Sequence, residues 1–233
     1  MAAMLTFAVG DIHGCHEKLA RLLAHCERHG GGKASRIVFV GDYVDRGPHS
    51  RDVVAHLIDA QRKAPDRFVC LRGNHEDMLM SAARRGDSLN WLINGGGETL
   101  ASYGVDDVSQ LPATHLAWFE SLLLNFDDGR RFFVHAGIVP GVPLDRQPEE
   151  AMLWIREKFL VDPRNHGRFI VHGHTPLVDG KPELKPNRLN LDTGACFGGP
   201  LTAAVFDETG VGPLVFIMDD GRVTPAPDVA MRG

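Results

Sequence analysis

The sequence predicts an α/β fold, with a sheet core and helices on its outside. Three observations predict it: short apolar runs rich in β-branched and aromatic residues recur along the chain, helical patterns separate the early runs, and almost every run ends in a polar turn. The runs Leu5–Val9, Ile37–Val40, Phe68–Leu71, Phe132–Val134 and Phe169–Val171 read as buried strands, because a strand covered on both faces is continuously apolar. Between the first two, Leu19, Leu22, Leu23 and Cys26 stand at i, i+3, i+4 and i+7, one face of a helix. Ser50 is placed to cap a second helix carrying Val53, Val54, Leu57 and Ile58. This is the alternation of βαβ units. The stretch from Glu76 to Phe126 reads as several helices, with Gly95-Gly96-Gly97 as a break between two of them. The later runs Leu189–Leu191, Leu201–Phe206 and Leu214–Met218 have no long helical spacers and read as hairpins of a second sheet packed on the first.

No internal repeat, low-complexity tract or long linker divides the chain. The expectation is therefore one domain over 1–233, with a helical insertion around 76–126. At 233 residues, 43% hydrophobic and 24% charged, the chain has enough apolar surface for a substantial core. Its formal charge is −5 and its basic residues are scattered, so the basic stripe of a duplex-binding protein is missing and no nucleic-acid partner is expected. No apolar run approaches the ~20 residues that span a bilayer, and Met1 to Gly10 lacks the pattern of a signal peptide. No membrane partner and a cytoplasmic location are the expectations. Cys15, Cys26, Cys70 and Cys196 form no C-x-x-C pair and read as reduced core cysteines.

The chemistry lies in the turns after the strands, where α/β proteins build their sites. In order they are Gly10-Asp11-Ile12-His13-Gly14, Gly41-Asp42-Tyr43-Val44-Asp45-Arg46-Gly47, Gly73-Asn74-His75-Glu76, His135-Ala136-Gly137 and His172-Gly173-His174-Thr175. Taken singly, each has a plainer explanation as an Asx turn or an N-cap. Five together would be a strange coincidence. Asp11 and His13, at i and i+2, would project to one side of an extended backbone and grip one cation. Asp42 would reach the same cation and bridge to a second, completed by Asn74, His135 and His174. Two such ions lie about 3.5–4 Å apart. A ligand set of oxygen and imidazole without thiolate suits Mn, Fe or Zn better than Ca or Cu(I), with no choice among the three. Two divalent cations outweigh the charges of Asp11, Asp42 and a bridging hydroxide, so the site would attract phosphate and activate a nucleophile at neutral pH. His75 is the candidate acid for the leaving group, aimed outward, with Asp45 orienting its imidazole. Arg46 and Arg156 offer planar forks for phosphate oxygens.

Gly10-Asp11-x-His13-Gly14, Gly41-Asp42-x-Val44-Asp45-Arg46-Gly47 and Gly73-Asn74-His75-Glu76 resemble the signature of the phosphoprotein phosphatase family within the calcineurin-like metallophosphoesterases. The resemblance runs from Gly10 to about Gly199. It implies a four-layer α/β/β/α sandwich around a dinuclear metal centre, and by position it gives the same residues the same roles. Leu191-Asp192-Thr193-Gly194-Ala195-Cys196-Phe197-Gly198-Gly199 stands where eukaryotic members have Ser-Ala-Pro-Asn-Tyr-Cys, and is similar to bacterial and phage members. The expected function is hydrolysis of phosphoesters on a protein or another small substrate, foremost as a serine/threonine protein phosphatase. Two alternatives are a symmetrical diadenosine tetraphosphate hydrolase and a catalytically silent phosphate- or protein-binding module. Asp45 and Glu76 favour the protein phosphatase, because the hydrolases resembling this chain often carry other residues there.

Overall fold

The computed structural model describes residues 4–86 and 88–230. The chain opens with β1 (Leu5–Val9), α1 (His16–Gly30), β2 (Ser35–Phe39), α2 (Ser50–Lys63) and β3 (Phe68–Cys70). A helical stretch follows: α3 (Asn74–Arg85), α4 (Leu89–Trp91), a π-helical segment (Leu92–Gly96), α5 (Gly97–Tyr103) and α6 (Ala113–Ser121). Next come β4 (Asn125–Asp127), β5 (Arg131–Val134), α7 (Glu149–Trp154), α8 (Glu157–Leu160) and β6 (Phe169–His172). The remaining strands are β7 (Glu183–Leu184), β8 (Arg188–Asn190), β9 (Thr202–Phe206), β10 (Val215–Met218) and β11 (Val223–Pro225). All eight apolar runs read as strands overlap strands in the structure.

The strands form two sheets, one in the order β11-β10-β9-β1-β2-β3 and the other β4-β5-β6-β8-β7. Their pleat decides the layers. Leu5, Phe7 and Val9 point from β1 to a core shared with Leu19, Leu22 and Cys26 of α1 and Val53, Val54 and Leu57 of α2. Ala8 points the other way, into a layer with Val38, Phe133, Phe169, Val171, Leu189 and Phe206, which glues sheet to sheet. On the far side Phe132, Val134 and Ile170 pack with Met152 of α7 and Phe159 of α8. Helix, sheet, sheet, helix is the four-layer α/β/β/α order expected.

Two local expectations are corrected. The late strands do not make the second sheet together: β9 returns antiparallel to β1, with Thr6 opposite Phe206, and β10 pairs antiparallel with β9, while β8 runs parallel to β6. Apolar runs mark burial but carry no partner information. Ser50 is not a cap; His49 holds that position, and the Ser50 hydroxyl accepts the Asp45 N–H at 3.1 Å. The Gly95-Gly96-Gly97 break stands as expected, with Gly95 at φ 103° kinking the chain between two helices. Among the described residues, no helix is long and apolar enough to cross a membrane.

Candidate metal centre

Parallel strands point their C-terminal ends at one edge, and that edge is where the polar turns gather. β1, β2 and β3 bring Asp11, His13, Asp42, Asn74 and His75, while β5 and β6 bring His135 and His174. All seven are buried. The backbone there is unusual. Among the described residues, the only non-glycine residues with positive φ are His13, Asp42, Asp45, Arg46 and His174, at 45° to 72°. Such conformations cost of order 1–3 kcal/mol each and persist only where the surroundings over-determine them. Every one of them is a predicted site residue. The neighbouring glycines are needed for space: a Cβ on Gly73 would collide with the Asp42 carboxylate, and one on Gly173 with that of Asp11.

Asp42 lies at the middle. Its carboxylate is 3.3 Å from His13 Nε2 and 3.4 Å from His135 Nε2, and it accepts the His75 N–H at 3.1 Å. The ligand atoms form two overlapping triads, His13 with Asp42 and His75, and Asp42 with His135 and His174. Asn74 Oδ1 joins the second, 2.8 Å from His135 Nε2 and 2.9 Å from His174 Nδ1. Asp11 departs from expectation. With His13 in left-handed backbone, the two residues do not share an extended strand face. The Asp11 carboxylate accepts the His174 N–H at 3.0 Å instead and feels the charges of Asp192 and Asp42.

The donor set fits divalent cations. His13 donates its Nδ1–H to Val44 O at 2.8 Å, and His135 donates its own to Val40 O at 2.9 Å. A neutral imidazole has one N–H, so both Nε2 atoms turn lone pairs toward Asp42 and Asn74 Oδ1. Lone pairs facing a carboxylate repel unless a cation lies between them, and imidazoles fixed through Nδ1 are how proteins present metal ligands. Burial, then Asp192 and Asp42, pushes the Asp11 carboxyl well up, which is the mark of negative charge crowded without counter-charge. Burial also acts to raise Asp42, but the positive charge that His135, His75 and His13 carry when protonated outweighs it and holds that carboxyl well below its usual range, the same pull a bound cation would exert there. Burial, then His135, pushes His174 down to about 2, so its ring stays neutral and free to bind a cation.

His75 is not aimed outward. It is 1% exposed, packs edge-on against His13 with centroids 4.6 Å apart, and has Nδ1 2.7 Å from Asp45 Oδ2 and Nε2 3.9 Å from Asp42. Sequence reading missed what holds Asp45. Trp91 donates its indole N–H to both carboxylate oxygens at 2.9 and 3.0 Å, and Thr99 donates its hydroxyl to Oδ1 at 2.6 Å. Arg46 is half-buried, with Nη1 2.7 Å from His13 Nε2 and its guanidinium 5.5 Å from the Phe197 ring centroid. Arg156 is exposed and precedes α8 rather than riding on a helix face, yet its Nε donates to His174 Nε2 at 3.1 Å. Glu76 accepts the N–H groups of Asp42, Tyr43 and Gly73 at 2.8–2.9 Å and so ties two of the turns together. Burial and the Asp42 charge push its carboxyl up to about 8, against the backbone donors that favour the ionised form. Asp192 is a further buried acid beside Asp11.

Residues 4–210 match the family described as calcineurin-like phosphoesterase. The chain belongs to it. Within this metallophosphoesterase family, a protein named serine/threonine-protein phosphatase 1 from Salmonella typhimurium is 31% identical over 217 residues, covering 85% of this chain and 90% of its own length. A symmetrical bis(5'-nucleosyl)-tetraphosphatase of Pseudomonas syringae pv. syringae is 32% identical over 177 residues, 74% of this chain but 55% of that protein. A solved cold-active protein tyrosine phosphatase superposes with TM-score 0.73 over 100% of this chain and 83% of its own, at 17% identity, which shows a shared fold. The chain is a phosphoesterase of the phosphoprotein phosphatase type, a family that uses a dinuclear divalent metal centre, and it holds the His and Asp cluster described above.

Proposed function

We propose that this phosphoesterase is a serine/threonine protein phosphatase. The observation that carries the reading is the buried His75–Asp45 pair beside the ligand cluster. A serine or threonine alkoxide is a poor leaving group that needs a proton, whereas a nucleotide phosphate departs readily without one. An imidazole fixed by a carboxylate is equipment for the first case. The likeness to the protein named serine/threonine-protein phosphatase 1 over 85% of the chain supports it further.

Asp11, His13 and Asp42 would hold one cation, and Asn74, His135 and His174 the other, with Asp42 shared. When bound, two divalent transition-metal ions, Mn before Fe or Zn, supply Lewis acidity and a water acidic enough to act as nucleophile near neutral pH. His75 donates the proton to the departing oxygen from Nε2, and Asp45 keeps Nδ1 protonated and steadies the imidazolium. Arg46 and Arg156 each rest on a proposed ligand imidazole, which supports the reading that their guanidinium forks meet the substrate's phosphoryl oxygens. The gathering of His13, Asp42, Asn74, His135 and His174 beside the His75–Asp45 pair speaks against a silent binding module. Four free thiols fit a cytoplasmic location.

The test is one panel on Mn-reconstituted protein, comparing phosphoserine, phosphothreonine and phosphotyrosine peptides with diadenosine tetraphosphate. The expected result is the highest kcat/KM on phosphoserine or phosphothreonine peptides. A far higher value on diadenosine tetraphosphate would make the chain a symmetrical dinucleoside tetraphosphate hydrolase.

A further inference from the structure

From α4 to α5 the helical stretch between β3 and β4 touches the catalytic turn at three points, all within Asp45-Arg46. Trp91, at the end of α4, spans both Asp45 carboxylate oxygens with its single N–H. Thr99, on α5, donates to Asp45 Oδ1 and accepts the Asp45 backbone N–H at 2.9 Å, with Ser50 Oγ 3.2 Å away. Gly95, in the π-helical segment between them, accepts the Arg46 N–H at 3.2 Å. That segment is where the helical path is irregular. The chain kinks between two helices at Gly95 (φ 103°), which lies against left-handed Asp45 and Arg46 at φ 72° and 68°, conformations that cost energy and persist where neighbours over-determine them. A Cβ on Gly95 would stand 2.9 Å from Arg46 N and Cγ, so the approach admits only glycine.

Trp91 and Thr99 are both fully buried, and neither belongs to the ligand cluster. With their two donors and His75 Nδ1, the Asp45 carboxylate has three side-chain donors. A carboxylate so bound cannot rotate, and its Oδ2 stays aimed at His75 Nδ1, 2.7 Å away.

We propose that Trp91 and Thr99 are positioning residues of the hydrolysis, acting through Asp45 on His75, and that the kink at Gly95 between them is what brings both onto one carboxylate. The proposal rests on His75 being the acid. Without the indole N–H or the threonine hydroxyl, Asp45 turns and His75 loses its fixed aim, while the ligand cluster is untouched. The loss falls on substrates whose leaving group needs a proton.

The experiment compares Trp91→Phe, Thr99→Val and Thr99→Ser with His75→Asn, measuring kcat and KM on a phosphoserine peptide and on p-nitrophenyl phosphate, with metal content by elemental analysis. Trp91→Phe and Thr99→Val are expected to lower kcat on the phosphoserine peptide by about 10–100-fold, the scale found when groups that orient a functional side chain are removed. KM and metal content should hold, and p-nitrophenyl phosphate should slow by less than about threefold, since its phenolate scarcely needs the proton. Thr99→Ser restores the donor and should recover most of the loss. In the His75→Asn background, Trp91→Phe should add nothing, as residues acting as one unit are not additive. Equal slowing of both substrates, lost metal, or a full further loss in the double variant would overturn the proposal. If His75→Asn itself slows both substrates equally, the acid assignment fails, and that outcome is read separately. Should Trp91→Phe not fold, the Thr99 pair decides alone, because serine and valine differ there in the hydroxyl under test.

Discussion

The two flanks of Asp42 are held very differently. On the β1 to β3 side, His75 is fixed by Asp45, Asp45 by Trp91 and Thr99, and the turns carrying them by Glu76. On the β5 and β6 side, His135 is anchored to Val40 O, but Arg156 is exposed and Trp154, packed edge-on to His174, is 39% exposed. Proton donation depends on the direction of one N–H, so the flank that carries it must be stiff. A guanidinium meeting an incoming dianion gains more from reach than from a fixed pose. The difference between the flanks thus follows the chemistry assigned to each.

Asp42→Asn would break both flanks at once. It should remove both cations rather than one and lower kcat by about 10⁴ or more, the scale of losing a group on which a whole unit depends. Elemental analysis after chelation and reloading checks this, and a variant that keeps one cation would show the flanks to be independent. His75→Asn strikes the stiff flank alone: metals retained, with a loss of about 10²–10⁴ on phosphoserine peptide and far less on p-nitrophenyl phosphate. Asp45→Asn should give a smaller defect of the same kind. Glu76→Gln puts an amide against three backbone donors, and is expected to cost about 1–3 kcal/mol in urea melts through the unsatisfied groups it leaves. The arginines then set the flanks side by side. Arg46, half-buried, should cost about 10–100-fold in kcat/KM when changed to Ala, as a charge-assisted bond worth about 1.5–3 kcal/mol does. Exposed Arg156, at about 0–1 kcal/mol, should cost no more than about fivefold. Equal losses would erase the distinction.

The stiff flank is also where sequence reading stopped short. Asp11, His13, Asp42, Asn74, His135 and His174 were legible because parallel strands deliver their polar turns to one edge, and a polar turn after an apolar run is visible in one dimension. Trp91 and Thr99 were not. They lie in a helical stretch with no polar turn, and Trp91 reads as another core residue until the fold brings it to Asp45. The orientation of His75 failed for a related reason, since left-handed backbone at Asp42 and Asp45 reverses directions that an extended chain would give. Strand partners fared likewise: the run Leu201–Phe206 declares its burial, whereas its pairing with β1 depends on competition among edges that only the assembled sheet resolves.

That pairing joins Thr6 to Phe206, two hundred positions apart in the order of synthesis. β1 is flanked on one side by β2, made soon after it, and on the other by β9, which leaves the ribosome only after His174 has been added. While the chain is being made, the early β1-β2-β3 unit therefore keeps an unpaired edge, and the cations' full ligand set does not yet exist. Pairings between such distant segments carry a large loop-closure cost before they return any contact energy, and they slow folding. With the ligand set proposed above, cation capture would come late in its biogenesis, and truncations that remove β9 would leave a nascent sheet with its β1 edge open to other chains.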